Sequence, residues 1–333
     1  MKKTLLILVG LLLTGLATFA QNVNIPDANF KTYLLGNNNI NTNGDTEIQV
    51  SEANAYTGTI SCGNQNIFDL TGIEAFTSLN KLFCSYNNLS TINLSQNTTL
   101  TELNFQNNSL TDIDLSQNTA LTVLNCGHNN LSSLDVTQNT ALLRLFCNNN
   151  SLNNIIDLTQ NVNLTRLVCL DNNLSSIDVS NAPNFNLLSS GNNSLTSLNV
   201  ANGNNANFSA IIAIGNPNLT CIEVDDVAYS TANWTSFVDA TASFSLDCSV
   251  SLSTNEFELA KNISIYPNPV KSQIYLNTDE NIESVSIINT FGQTVNSNLI
   301  DYATVDTSNL SNGIYFLKID TDNGMVIKKF IKE

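Results

Sequence analysis

Between residues 57 and 224 the apolar positions recur with a period of 21. The clearest copies open at Leu79, Leu100, Leu121 and Leu142. Each reads Leu-x-x-Leu-x-Cys/Phe-x-x-Asn-x-Leu-x-x-Leu/Ile-x-Leu/Val and ends in Ser/Thr-Gln-Asn. In the copy from Leu100, apolar and polar residues alternate over Leu103 and Phe105 and again over Ile113 and Leu115. That period of two is the mark of a short strand with one buried face. One copy cannot bury its apolar side alone, whereas stacked copies bury a continuous column. The pattern predicts eight turns, from Ile60-Ser61-Cys62 to a degraded last turn holding Ile212, Ile214, Pro217, Leu219 and Ile222. One extra residue enters near Ile155-Ile156-Asp157, where the register slips once. At ~4.8 Å per strand, eight turns make a rod roughly 40 Å long.

This phrase resembles the leucine-rich repeat, in the bacterial form of 21 residues called IRREKO, whose two halves are near-copies of each other. The resemblance implies a mainly β fold: a leucine-rich-repeat solenoid over 57–248, with a helical cap before it. Asn87, Asn108, Asn129, Asn150, Asn172 and Asn193 form a ladder where each strand turns, and their amides are expected to satisfy backbone groups that the turn leaves unpaired. Cys62, Cys84, Cys126, Cys147 and Cys169 form a second ladder, alternating inward with the leucines. Stacked side chains that point the same way are badly placed for disulfides, and a single line cannot surround a tetrahedral metal. These cysteines are expected to be buried free thiols.

The ends of the rod carry different signals. Met1-Lys2-Lys3, the apolar run Leu5–Leu16 and Thr18-Phe19-Ala20 read as a secretory signal peptide over 1–20. Residues 21–56 read as the cap, with a short helix opened by Pro26-Asp27-Ala28-Asn29-Phe30 and reaching about Leu35. The segment Asn41-Thr42-Asn43-Gly44-Asp45-Thr46-Glu47-Ile48, closing at Glu52, is similar to the calcium loop of EF-hand and dockerin modules. The resemblance implies a weak structural calcium site on Asn41, Asn43, Asp45, Glu47 and Glu52, with a metal-free capping turn as the alternative. Thr46 stands where the family places glycine for a left-handed turn. At the far end, Cys221 and Cys248 are the cysteines outside the ladder, and export permits a bond between them that closes the last turn.

Residues 249–261 lose the repeat and read as a linker. Short alternating runs then return at 263–266, 273–276, 284–289, 313–319 and 325–331, which predicts a small Ig-like β-sandwich over 262–333. Tyr266-Pro267-Asn268-Pro269, Ile288-Asn289-Thr290-Phe291-Gly292-Gln293, Leu310-Ser311-Asn312-Gly313-Ile314-Tyr315 and Lys328-Lys329-Phe330 carry a further resemblance. The module resembles the type A C-terminal sorting domain of the type IX secretion system of Bacteroidota. That implies passage across the outer membrane by the secretion machinery, and release or fixing at the cell surface.

Composition narrows the function. The net charge of −16 argues against nucleic acid and against anionic membranes as partners. After the signal peptide no stretch is long and apolar enough to span a membrane. His128 is the single histidine, with no serine nucleophile in the matching slots beside it, so a catalytic pair is not expected and the chain is not read as an enzyme. Lys81, Arg144 and Arg166 are the only basic residues between Thr32 and Ala260, and all three fall two positions after the opening leucine of a repeat. Phe83, Phe146 and Val168 follow two residues on, with Tyr86 and Leu170 beyond. Aromatic and arginine side chains on an exposed strand face are favoured interface anchors. The expectation is a secreted or outer-surface protein that binds an extracellular protein or glycan by this face, as in adhesion. The alternative is a structural surface-layer or matrix spacer; an extracellular hydrolase is the weaker third reading.

Overall fold

The structure, a computed structural model, describes residues 21–153, 155–248, 262–289, 293–296, 299–301 and 303–333. The signal peptide and the linker fall outside the described residues. The chain divides into one unit ending at Cys248 and a second beginning at Ser249.

In the first unit the alternation of the repeat becomes a stack of coils. Strands Thr59–Ser61, Lys81–Phe83, Glu102–Asn104, Val123–Asn125, Arg144–Phe146, Arg166–Val168, Leu187–Ser189 and Ala210–Ile212 pair in parallel, in that order. The middle residue of each strand is buried and its two neighbours point outward. The second halves of the repeats lie across the core. Ser176–Asp178, Ser197–Asn199, Cys221–Glu223 and Ser243–Ser245 form a shorter parallel sheet there. Earlier second halves keep the alternation without strand pairing: Ile113 and Leu115 are buried, Asp112 and Asp114 exposed.

The expected single slip of register is three. The sheet pairs Ile60 with Leu82, Leu145 with Leu167 and Leu188 with Ile211, so extra residues enter at the first, fifth and seventh steps. Turns absorb them, because a buried position must face the core while a turn need not keep its length.

The asparagine ladder holds the coils together. Asn129 donates from Nδ2 to the carbonyls of Phe105, Cys126 and Gly127 (3.2, 3.1 and 3.2 Å), and its Oδ1 accepts from Leu110 N at 3.0 Å. Asn87, Asn108, Asn150, Asn172 and Asn193 repeat the arrangement, and Asn216 continues it. A second column, Asn97, Asn118, Asn139 and Asn161, donates to paired carbonyls of the preceding coil. Beside the first ladder each coil turns through a left-handed residue: Asn64, Tyr86, Asn107, His128, Asn149, Asp171 and Asn192 have φ of 52–58°. Asn, Asp and His tolerate that region better than most side chains. The ladder cysteines are buried free thiols. Burial pushes Cys62 and Cys147 up to about 12, and raises Cys84, Cys126 and Cys169 as well, so none supplies a thiolate at neutral pH.

Both ends of the stack are covered. Helix α1, Ala28–Leu35, is N-capped by Asp27, whose Oδ1 accepts from Asn29 N and Phe30 N (both 2.9 Å). Its Oδ2 accepts from Phe68 N at 2.8 Å and Asp69 N at 3.3 Å, which ties the cap to the first coil. At the other end a second helix, Val227–Trp234, places the buried Trp234 ring 5.2 Å from Phe208 and 6.1 Å from Phe244. Cys221 and Cys248 form a disulfide beside this cluster.

The second unit has two antiparallel four-stranded sheets. One holds Ser264–Tyr266, Gln273–Asn277, Thr304–Asp306 and Leu299–Asp301; the other holds Thr294–Asn296, Ile282–Asn289, Gly313–Thr321 and Gly324–Lys332. The three short strands between 294 and 306 escape the alternation because each has only three residues. Its core, including Ile274, Ile287, Leu317 and Phe330, is separate from that of the solenoid.

Candidate functional site

The outward side chains of the long parallel sheet form rows, one residue per coil. Arg144 and Arg166 are direct register partners on adjacent strands, and Phe146 and Val168 are the next such pair. These two arginines are the only ones in the chain. Neither makes an ion pair with an acidic side chain among the described residues. The Arg144 side chain is exposed, and Phe146, Arg166, Val168 and Leu170 are half-buried.

The face is smaller at one end and longer at the other than the repeat slots imply. Lys81 pairs with Glu102 at 2.7 Å, so its charge is already met. Lys81, Phe83 and Tyr86 are also separated from the arginine pair by the strands of Glu102–Asn104 and Val123–Asn125. Tyr86 sits at the left-handed turn (φ 56°) rather than on the strand, and is 59% exposed. In the other direction Leu187 follows Arg166 in its row, and Ile212 follows Val168 after Ser189. Ala213 N donates to Phe237 O at 2.8 Å, as Ser190 N does to Ile212 O, so Phe237 adds a further rung. Ile212, Ile214 and Phe237 are 42%, 46% and 47% exposed. The degraded eighth repeat hid them, because its breaks in spacing masked its alternation. The face is thus a cationic pair beside an apolar tract.

The calcium reading does not fit the cap loop. Its left-handed residue is Gly44 (φ 70°), two positions before Thr46, so the chain turns elsewhere than in an EF-hand. Glu52 Oε1 accepts from Thr42 N, Thr42 Oγ1 and Asn43 N (2.8, 2.8 and 3.2 Å), and Oε2 accepts from Gln49 N at 3.0 Å. Asp45 accepts from Glu47 N and from the Asn43 and Gln49 amides. Asn41 Oδ1 accepts from Gly44 N, and Glu47 pairs with Lys31 at 2.7 Å. Donors therefore occupy side-chain oxygens of Asn41, Asp45 and Glu52 that a cation would use.

Burial raises the Glu52 carboxyl, but the donors of Gln49, Thr42 and Asn43 outweigh it and hold it below its ordinary value. A depressed folded value stabilises the fold above the unfolded value, near pH ~4.3, and that stabilisation is lost as acid protonates the folded carboxylate. Glu52→Gln is expected to lower the melting temperature at neutral pH and to matter less in acid. Millimolar calcium is expected to leave wild-type melting unchanged; a calcium-dependent rise would restore the metal reading.

His128 lies exposed in its turn, and the nearest ladder thiol, Cys126, is buried. In the second unit Asn268 joins the Tyr266–Pro269 motif to the last strand: Nδ2 donates to Lys329 O at 3.1 Å and Oδ1 accepts from Ile331 N at 2.9 Å. Tyr266 packs on Tyr275, and Tyr315 stacks on Phe330 and donates to Ser311 O. Gly313 opens the strand that pairs with the last one, where Lys328 and Lys329 stand. Gly292 lies outside the described residues.

Comparison with known proteins gives two kinds of match. Residues 264–333 match the family model described as secretion system C-terminal sorting domain. A stretch of 39 residues is 56% identical to internalin J of Listeria monocytogenes, covering 12% of this chain and 4% of that relative. Among solved structures, internalin C2 of Listeria monocytogenes is 21% identical, with a TM-score of 0.42 over 62% of this chain and 98% of its own. The functional domain of InlJ from the same species, which includes a cysteine ladder, is 20% identical with a TM-score of 0.26, over 94% of this chain and all of its own. The repeats, the stacked coils and the terminal match together make this chain a leucine-rich-repeat solenoid with a type IX secretion system sorting domain at residues 264–333, secreted or held at the cell surface.

Proposed function

We propose that this protein is an adhesive binding protein, which recognises an extracellular protein or glycan through the outward face of its long parallel sheet. The observation that carries the reading is the register pairing of Arg144 with Arg166, with no acidic partner among the described residues, on a solenoid otherwise poor in cations. Two guanidinium groups side by side repel, and each offers planar donors that match a carboxylate. An acidic ligand relieves the repulsion. Phe146, Val168, Leu170 and the tract through Ile212 and Phe237 supply the apolar contact that fixes it. Catalysis has no part in this reading. His128 serves as a turn residue, and the thiols are walled in.

The test is an array of extracellular proteins and glycans probed with the mature chain and its variants. Arg144→Ala, Arg166→Ala and Phe146→Ala are each expected to weaken the strongest interaction by about 1–3 kcal/mol without loss of fold. Lys81→Ala, already neutralised by Glu102, and Ser133→Ala across the core are expected to change little. Equal binding by all five variants would sink this face as the site.

A further inference from the structure

The side of the solenoid opposite the arginine face carries its charge complement. Asp114, Asp135, Asp157 and Asp178 stand one per coil, exposed, and the Oδ1 of each accepts from the backbone N–H two residues on (2.9 Å throughout). That bond fixes each carboxylate in place. None of the four forms an ion pair among the described residues. Beside Asp157, the Ile155 side chain is 63% exposed while Ile156 between them is buried.

The two faces match in order as well as in sign. The run Arg144-Leu145-Phe146 reads charge, buried, apolar; the run Ile155-Ile156-Asp157 reads apolar, buried, charge. Two rods packed side by side with their axes parallel bring such runs together in opposite directions. Arg144 then meets Asp157 while Phe146 meets Ile155. One coil further, Arg166 meets Asp178 and Val168 meets Ser176. Both rows advance by one coil, ~4.8 Å, so both charge pairs form at once. Only a partner with the same coil pitch satisfies this, and a second copy of the chain has it by construction.

We infer that the partner of the arginine face is the aspartate face of another copy of this protein, so that the solenoids associate side by side. This rests on the reading of the arginine face as the binding face, and it names the ligand. The contact uses different patches on the two copies, and the bound copy keeps its own arginine face free. Such a heterologous contact does not close on itself and extends into an open row of parallel rods. A homotypic adhesin and a surface matrix then become one mechanism.

Sedimentation of the mature chain (residues 21–333) over a concentration series tests this. Mass is expected to rise with concentration past the dimer without a plateau, and to fall toward monomer in 1 M salt, where charges are screened beyond ~3 Å. Arg144→Glu with Arg166→Glu, and separately Asp157→Lys with Asp178→Lys, are each expected to leave a folded monomer. An equimolar mixture of the two variants is expected to associate past the dimer again, because the intact arginine face of one meets the intact aspartate face of the other and the introduced glutamates meet the introduced lysines. A wild type that stays monomeric at low salt overturns the inference, as does a mixture of folded variants that fails to pair. If the wild type is monomeric yet binds an array ligand through Arg144 and Arg166, the face is right and the partner is wrong. Self-association unaffected by the arginine changes defeats both.

Discussion

A chain cut before residue 262 is expected to fold, to reach the periplasm and to stop there. Among the described residues the second unit has its own core, distinct from that of the coils, so the cut is expected to leave the solenoid folded. It removes the whole segment that matches the sorting domain. Cell fractionation and protease shaving of intact cells would read the result, with wild-type protein at the surface or in the medium and the truncated chain in the periplasm. A milder change makes the same point. Asn268→Ala breaks both bonds between the Tyr266–Pro269 motif and the last strand, and is expected to lower export without touching the solenoid. Full surface exposure of the truncated chain would remove the export role from this module.

The second large effect is on stability. Asn129→Leu keeps the approximate volume but takes one of two donors from each of the Phe105, Cys126 and Gly127 carbonyls, which keep Asn108 Nδ2, Asn150 Nδ2 and Asn107 N, and leaves Leu110 N without its acceptor. A buried polar group left unpaired costs about 1–3 kcal/mol, and partial relaxation of the turn recovers some of it. The expected loss is about 2–3 kcal/mol, still a large share of the stability of an ordinary domain. Urea unfolding would register it as a lower midpoint. Because each coil contacts its neighbours on both sides, the damage spreads along the stack rather than staying local. A loss below about 1 kcal/mol would mean that the ladder merely accompanies the fold instead of holding it.

Much of this was legible in the sequence because the repeat is redundant. Leu82, Leu103, Leu124 and Leu145 occupy one slot, and the same slot in space follows from the period. The asparagine and cysteine ladders were readable for the same reason. What escaped was whatever the period does not encode. The seventh step of the stack carries extra residues, so Ile212 and Ile214 looked like decay although they extend the face. Phe237 joins the row from outside the repeat, through a backbone bond no spacing announces. The Lys81 slot predicted an exposed cation, but its neighbour Glu102 comes from the next copy and cancels it. In the cap, the residue types of a calcium loop were present. The position of Gly44 and the inward donors of Thr42, Asn43 and Gln49 turn the same residues into a hydrogen-bonded plug.

Because Arg144 and Arg166 are the only arginines in the chain, one measurement addresses the binding face directly. Arginine-selective dicarbonyl labelling of the mature protein, read by mass spectrometry, reports on those two side chains and no others. In the free, dilute protein both are expected to label. With saturating partner, whether an array ligand or a second copy of the chain, both are expected to be protected together, since they are register partners on adjacent strands. Unchanged labelling of both arginines in a complex shown to be saturated would contradict the account and place the binding surface elsewhere on the molecule.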